Sequence, residues 1–260
     1  MKNLNHIIIG SGKKKVIFLH GFMGSSSDWL PILTNFNSEY SFLLIDLPGH
    51  GKSINLNYEM YDFEQNSYNI IKIINNTNFQ NSSIYGYSMG GRVAIHLCIK
   101  YSKYFKKLII ESSSPGLKTE VERDERKLND LALSGKIINS KDKFNIFLDN
   151  WYSMPLFGNI KKSKKYTQLI VNRIKNNPFE LKKSLLGMGT GSQKSLWDEI
   201  RNISIPTIHI VGELDKKYFG ISKEMQLLVP NYKLIPIENI AHNVHLELGA
   251  KFYHLLNNIL

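Results

Sequence analysis

Short runs of Ile, Val, Leu and Phe alternate along the chain with longer stretches in which apolar residues recur every three to four positions. The short runs are apolar at successive positions, not at every second one, which fits strands buried on both faces. They predict strands over 16–19, 42–46, 84–87, 108–111, 207–212 and 233–236. The longer stretches predict helices over 27–36, 61–75, 89–101, 220–228 and 245–259. Regular succession of strand and helix predicts an α/β protein with a mostly parallel sheet flanked by helices. Residues 113–203 break the rhythm, with helical periodicity, no convincing strand, and aromatics at Trp151, Tyr152, Phe157 and Trp197. So long an interval between parallel strands exceeds a single crossover and predicts a helical lid over the carboxyl edge of the sheet. The expected division is a core of residues 1–112 and 204–260 and a lid or cap of 113–203.

One strand-to-helix junction carries a chemical signature. Gly86-Tyr87-Ser88-Met89-Gly90 lies between an apolar strand and an apolar helix, with a further glycine at Gly91. G-x-S-x-G in that context is a nucleophile elbow: the serine sits on a strained turn, the glycines permit close backbone approach, and the helix N-terminus favours developing negative charge. The same fold needs an acid and then a histidine later in the chain. The strand 207–212 is followed by Glu213-Leu214-Asp215, and the strand 233–236 by Ala241-His242-Asn243. Both acids follow a strand closely; the loop position favours Asp215 over Glu213. His242 then links Ser88 to the acid through its two ring nitrogens. His20-Gly21-Phe22 follows the first strong strand, so the backbone N–H groups of Phe22 and Met89 are the candidate oxyanion donors, with the His20 ring structural. His245 is expected to open the last helix, and His96, His209 and His254 lie inside regular elements.

Composition narrows the picture. With 42% hydrophobic and 21% charged residues, the 260-residue chain can build a substantial core. Lys+Arg 33 against Asp+Glu 22 gives a formal net charge of +11, almost entirely lysine. No basic run interleaves with aromatics and no nucleic-acid motif is present, so a solvated lysine-rich surface is expected and nucleic acid is not. The single Cys98 excludes an internal disulfide and a cysteine metal cluster, and suits a reducing compartment. Apolar runs too short for a signal peptide or membrane span predict a soluble cytoplasmic protein with no membrane partner. Gly51-Lys52-Ser53 imitates the end of a P-loop, but Asp46 stands where that motif needs its first glycine and Pro48 interrupts it. With no dinucleotide fingerprint and no zinc-ligand spacing, no cofactor and no metal is expected.

Longer motifs carry a resemblance. His20 to Gly24 with Asp28-Trp29, Asp46 to Ser53, and Gly86 to Arg92 resemble an α/β-hydrolase. Pro115-Gly116-Leu117, Asn150-Trp151-Tyr152-Ser153-Met154-Pro155, Gly189-Thr190-Gly191-Ser192-Gln193, Gly212 to Tyr218 and Ala241 to Glu247 resemble, in addition, the 2-succinyl-6-hydroxy-2,4-cyclohexadiene-1-carboxylate synthase (MenH) family of menaquinone and phylloquinone biosynthesis. The resemblance implies an α/β-hydrolase fold with a helical lid, and a lyase that eliminates pyruvate from 2-succinyl-5-enolpyruvyl-6-hydroxy-3-cyclohexene-1-carboxylate without a cofactor. It implies a triad of Ser88, Asp215 and His242, and substrate contacts from Tyr87, Arg92, Arg126, Trp151 and Arg173, with Arg123 competing with Arg126 for the lid role. The family often has Gly-Gly-His where this chain has Ser112-Ser113-Ser114. A polycarboxylate small molecule is the expected partner, taken by a monomer or small homo-oligomer in the cytoplasm, or in the plastid stroma for an organellar gene. The chemistry agrees: a planar guanidinium grips a carboxylate with two hydrogen bonds where lysine cannot, and this chain has only five arginines. A serine hydrolase of esters or carbon–carbon bonds would use the same triad, but would not need the arginines for a neutral substrate.

Overall fold

The computed structural model describes residues 3–260. Its sheet has seven strands in the order β1-β3-β2-β4-β5-β6-β7: β1 (His6–Ile9), β2 (Lys14–Leu19), β3 (Tyr40–Ile45), β4 (Ser82–Tyr87), β5 (Phe105–Glu111), β6 (Thr207–Gly212) and β7 (Tyr232–Ile237). All neighbours pair in parallel except β1, which runs antiparallel to β3 from His6 opposite Ile45 to Ile9 opposite Phe42. The sequence pattern did not predict β1. It is a four-residue edge strand with only alternate positions half-buried, so it lacks the continuous apolar run that marks the inner strands.

The inner strands divide their side chains between two cores. Ile17, Leu19, Leu43, Ile45, Ile84, Leu108 and Ile110 point to one face, and Val16, Phe18, Phe42, Leu44, Tyr85 and Ile109 to the other. Phe18 shows how tightly the second face is filled, with ring centroids 5.0 Å from Tyr85, 5.2 Å from Trp29 and 5.9 Å from Phe42. Its truncation to alanine would cost about 3–5 kcal/mol.

The helices in chain order are α1 (Leu30–Leu33), α2 (Phe63–Asn76), α3 (Met89–Lys100), α4 (Glu120–Lys136), α5 (Lys141–Tyr152), α6 (Tyr166–Arg173), α7 (Pro178–Met188), α8 (Lys216–Leu228), α9 (Val244–Leu248) and α10 (Ala250–Ile259). Their starts follow local chemistry: Asp62 caps α2, Thr119 and Glu122 form a capping box on α4, and Asn177 caps α7 ahead of Pro178. Two predicted helices are corrected. The 27–36 helix is a short 3₁₀ turn at Ser26–Asp28 followed by α1, because Pro31 limits the hydrogen bonds that a longer helix needs. The 245–259 helix is α9 and α10, divided at Gly249, whose φ of +59° leaves the right-handed region. Between β5 and β6 the regular structure is helical throughout, α4 to α7 with short 3₁₀ turns. This segment carries its own small cores, one joining Phe144, Phe147, Leu148, Leu181 and Leu185 to Met23 of the main body.

Candidate active site

Three loops at the carboxyl ends of neighbouring strands meet at one point. The first is the turn from β4 to α3. Ser88 has φ +50° and ψ −109°, a conformation that costs a non-glycine residue about 1–3 kcal/mol. The surroundings enforce it: the Ser88 N–H donates to Glu111 O at 2.9 Å, and Ser113 Oγ donates to Ser88 O at 2.8 Å. Glycine flanks the turn for a visible reason. A Cβ on Gly86 would lie 2.4 Å from Gly90 O, and one on Gly90 would lie 2.5 Å from Leu19 O. Thus Ser112-Ser113-Ser114, the departure noted in the sequence, supplies a strut to the elbow.

The second and third loops follow β6 and β7. Asp215 caps α8, with Oδ1 accepting from Tyr218 N at 3.3 Å, while Oδ2 lies 2.6 Å from His242 Nδ1. This is why α8 begins at Lys216, four residues earlier than the pattern indicates. His242 Nε2 lies 3.0 Å from Ser88 Oγ. Asp215 and His242 are each only 2% exposed, so the contact is shielded from water. With the carboxylate accepting from Nδ1–H, Nε2 is free to accept the serine proton. The Glu213 side chain forms no hydrogen bond among the described residues; Glu213 holds the chain through its N–H to Ile237 O at 3.0 Å.

Ser88 and His242 open into a cavity of about 480 Å³, also lined by Phe22, Tyr87, Met89, Arg92, Arg126, Trp151, Arg173, Lys217 and Tyr218. That volume suits a small metabolite. The N–H groups of Phe22 and Met89 donate to no acceptor among the described residues. His20 fixes the loop before Phe22: its Nε2 accepts from Leu47 N at 2.9 Å, so Nδ1 carries the proton donated to Gly21 O at 2.8 Å. Burial holds its pKa below the ordinary value, and the ring is a neutral strut.

The arginines differ in what they have left to offer. Arg92 is buried and donates to Gln193 Oε1 at 2.8 Å and Met188 O at 2.7 Å, both neutral acceptors. Burial pulls its pKa down to about 10, the mark of a cation without a matching anion. Arg126 donates through Nε to Asp130 Oδ1 at 2.8 Å and faces the cavity, whereas Arg123 does not line it. Arg173 departs from the sequence expectation of a substrate fork. Its Nη1 and Nη2 close on Asp28 at 2.9 and 2.8 Å, and its Nε on the Tyr152 hydroxyl at 3.1 Å, so neither bidentate edge remains free. Burial opposes its charge, but Asp28 and Tyr152 outweigh that and hold the pKa above the ordinary value.

Several residues here escaped the sequence pattern. Glu111, at the end of β5, accepts from His245 N at 3.1 Å and Nδ1 at 2.8 Å and from the Tyr85 hydroxyl, forming a second buried carboxylate–imidazole pair beside Tyr87. His245 therefore packs inside α9 instead of opening a long helix. The P-loop imitation at Gly51-Lys52-Ser53 wraps Asp46, whose carboxylate accepts from the N–H groups of Ser26 at 2.7 Å and Lys52 at 3.0 Å. Asp130 alone was within reach of sequence reasoning, through its i, i+4 spacing from Arg126.

Comparison with known proteins adds to this geometry. The alpha/beta hydrolase fold family model matches residues 14–247. A 2-succinyl-6-hydroxy-2,4-cyclohexadiene-1-carboxylate synthase of Citrobacter koseri is 31% identical over 256 residues, 96% of this chain and 94% of that protein. Protein PHYLLO, chloroplastic, of Arabidopsis thaliana is 27% identical over 247 residues, 89% of this chain and 14% of that much longer protein. The solved structure of MenH from S. aureus aligns with a TM-score of 0.88 at 30% identity, over 98% of this chain and 97% of that one.

Proposed function

The chain belongs to the 2-succinyl-6-hydroxy-2,4-cyclohexadiene-1-carboxylate synthase family of the α/β-hydrolase fold, and from that premise we propose that it is the carbon–oxygen lyase of menaquinone or phylloquinone biosynthesis, with Ser88, His242 and Asp215 as its proton-transfer chain. The substrate is 2-succinyl-5-enolpyruvyl-6-hydroxy-3-cyclohexene-1-carboxylate. Comparing its name with that of the product defines the bond changes. A proton leaves C2, its electron pair becomes the C2–C3 double bond, the C3–C4 double bond moves to C4–C5, and the C5–oxygen bond breaks. The departing enolpyruvate takes up a proton and becomes pyruvate. No acyl group moves, so no acyl-enzyme is required.

Each residue has a part in that sequence. Ser88 Oγ takes the C2 proton as it yields its own to His242 Nε2, and Asp215 holds the imidazole tautomer and stabilises the imidazolium. The imidazolium is the source of the proton that the leaving enolpyruvate needs. C2 adjoins the succinyl carbonyl, so charge developing there spreads to that oxygen, where the N–H groups of Phe22 and Met89 receive it. Arg92 and Arg126 bind substrate carboxylates, Tyr87 and Trp151 wall the ring, and Arg173 holds the Phe22 loop to the lid through Asp28. The helical segment 113–203 acts as the lid over the core of 1–112 and 204–260. All these groups come from one chain, so a monomer or small homo-oligomer in the cytoplasm, or in the stroma of a plastid, suffices.

One observation favours a lyase of a polycarboxylate over an esterase: the Ser88–His242–Asp215 chain shares its cavity with Arg92, a buried guanidinium whose hydrogen bonds among the described residues go to neutral acceptors. The decisive test supplies the enolpyruvyl precursor and follows pyruvate and conjugated-diene absorbance, with an ester panel alongside. Pyruvate and diene in equal amounts are expected, with no adduct on Ser88 by intact mass during turnover. Ester turnover without pyruvate would overturn the assignment.

A further inference from the structure

The cavity holds a cation that neither the arginine pattern nor the triad motif singles out. Lys217 stands two residues after Asp215 and one before Tyr218, whose ring lies 4.8 Å from that of His242. It is an exposed side chain that also lines the cavity, which puts it on the rim. The other cations of the cavity have different partners: Arg173 has Asp28, Arg126 has Asp130, and Arg92 has neutral acceptors only. Lys217 forms no salt bridge within 4.0 Å among the described residues, and its Nζ lies 5.7 Å from the centroid of its neighbour's Tyr218 ring. Partial burial and the nearby Arg126 charge both weaken its hold on its proton, while Asp215 and Glu122 act in the opposite direction. Among the described residues the site thus keeps two cations without a salt-bridge partner, one four residues after Ser88 and one two residues after Asp215. A partly desolvated charge in that state is stabilised by a ligand anion.

We infer that Lys217 is a substrate-binding residue that takes the outer carboxylate of a polycarboxylate ligand while Arg92 takes an inner one. The inference rests on the polycarboxylate lyase assignment and sharpens it, since two separated cations select a ligand with two separated carboxylates over one with a single anionic group. Lysine suits the rim position: its flexible stem lets a compact charge follow an anion at the solvent boundary, and a guanidinium fork is not required there.

The test compares Lys217→Met, Lys217→Arg and, as a charge-matched control off the cavity, Lys216→Met, all at one ionic strength. With the enolpyruvyl substrate, Lys217→Met should raise KM about tenfold with a smaller change in kcat, while Lys217→Arg stays within about threefold and Lys216→Met is unchanged. Calorimetric titration supplies an arm independent of turnover, with benzene-1,4-dicarboxylate and benzoate as probes. Lys217→Met should weaken the dicarboxylate about tenfold and leave benzoate unaffected. Equal losses for both probes, equal losses in the Lys216→Met control, or no loss at all would each overturn the assignment of Lys217. A wild-type protein that discriminates the probes through Lys217 yet releases no pyruvate would instead overturn the lyase assignment alone.

Discussion

Two carboxylate–imidazole pairs lie against the Tyr87 ring. His242 with Asp215 faces the cavity at 5.5 Å from that ring, and His245 with Glu111 is packed against it at 4.8 Å. Both pairs are buried and both are short. What separates them is the number of contacts already filled. Glu111 accepts from the His245 backbone, the His245 ring and Tyr85, and the His245 ring is enclosed by Trp29, Tyr87 and Phe252. His242 keeps one nitrogen directed at Ser88 and the cavity. A pair saturated by protein atoms stabilises the fold, and a pair with an open end can move a proton.

The largest expected effect tests that contrast directly. His242→Ala should lower turnover by about 10²-fold or more, far beyond what its cost in stability explains, because the ring carries the proton of Ser88. His245→Ala should cost about 3–5 kcal/mol of stability by leaving Glu111 buried without its main partner. Turnover and thermal unfolding of the two variants, measured side by side, settle the matter; a reversal of the two patterns would exchange the assigned roles.

The sequence announced one of these pairs and not the other, for a physical reason. Ser88, Asp215 and His242 each follow a strand closely, and the alternation of apolar runs and helices exposes those positions even though the residues are far apart in the chain. His245 lies one turn past the same loop, where a helix start is the ordinary expectation, and nothing local marks Glu111 as its partner. The arginines behave alike. Arg126–Asp130 is a helical i, i+4 pair that spacing reveals, whereas the Arg173–Asp28 contact spans 145 positions and depends on how the 113–203 segment folds over the core. The inner strands were similarly legible because both faces are apolar. The edge strand β1 and the break at Gly249 were not, being set by tertiary pairing and a single backbone angle.

The same difference between filled and open contacts separates Arg173 from Arg92, and the next largest effect follows from it. Arg92→Lys keeps the charge but cannot reach Gln193, Met188 and a substrate carboxylate together, so kcat/KM should fall about tenfold or more with little loss of stability. Arg173→Lys should instead destabilise the protein by about 2–4 kcal/mol, since the two-bond contact to buried Asp28 is lost. Thermal melts and kinetics of both variants would expose an error: a stable Arg173→Lys protein with a raised KM would restore the substrate role that the sequence resemblance implies.

The smallest effect concerns the loop that presents His242. Glu247, on α9, accepts the Ala241 N–H at 3.2 Å and so holds the backbone just before His242. Burial raises its pKa to about 7, against the opposing pull of the Ala241 and Asn243 N–H groups, with the Glu111 charge adding to the rise. The folded protein therefore binds this proton more tightly than the unfolded chain does. The stability linked to it is fully present below the unfolded value near 4.5 and is lost as pH rises through about 7. Glu247→Gln keeps an acceptor oxygen and removes the ionisation. Relative to wild type, its melting temperature should be equal or slightly lower at pH 5 and higher at pH 8, by roughly 2–4 °C for about 1 kcal/mol once solvent screening of this half-buried group is allowed for. Because Glu247 touches the backbone and not the ring, turnover at pH 8 should change less than twofold, against the collapse expected for His242→Ala. A melting difference between variant and wild type that stays flat from pH 5 to 8 would show that Glu247 ionises as an ordinary surface carboxylate, leaving the loop held by its neutral contacts alone.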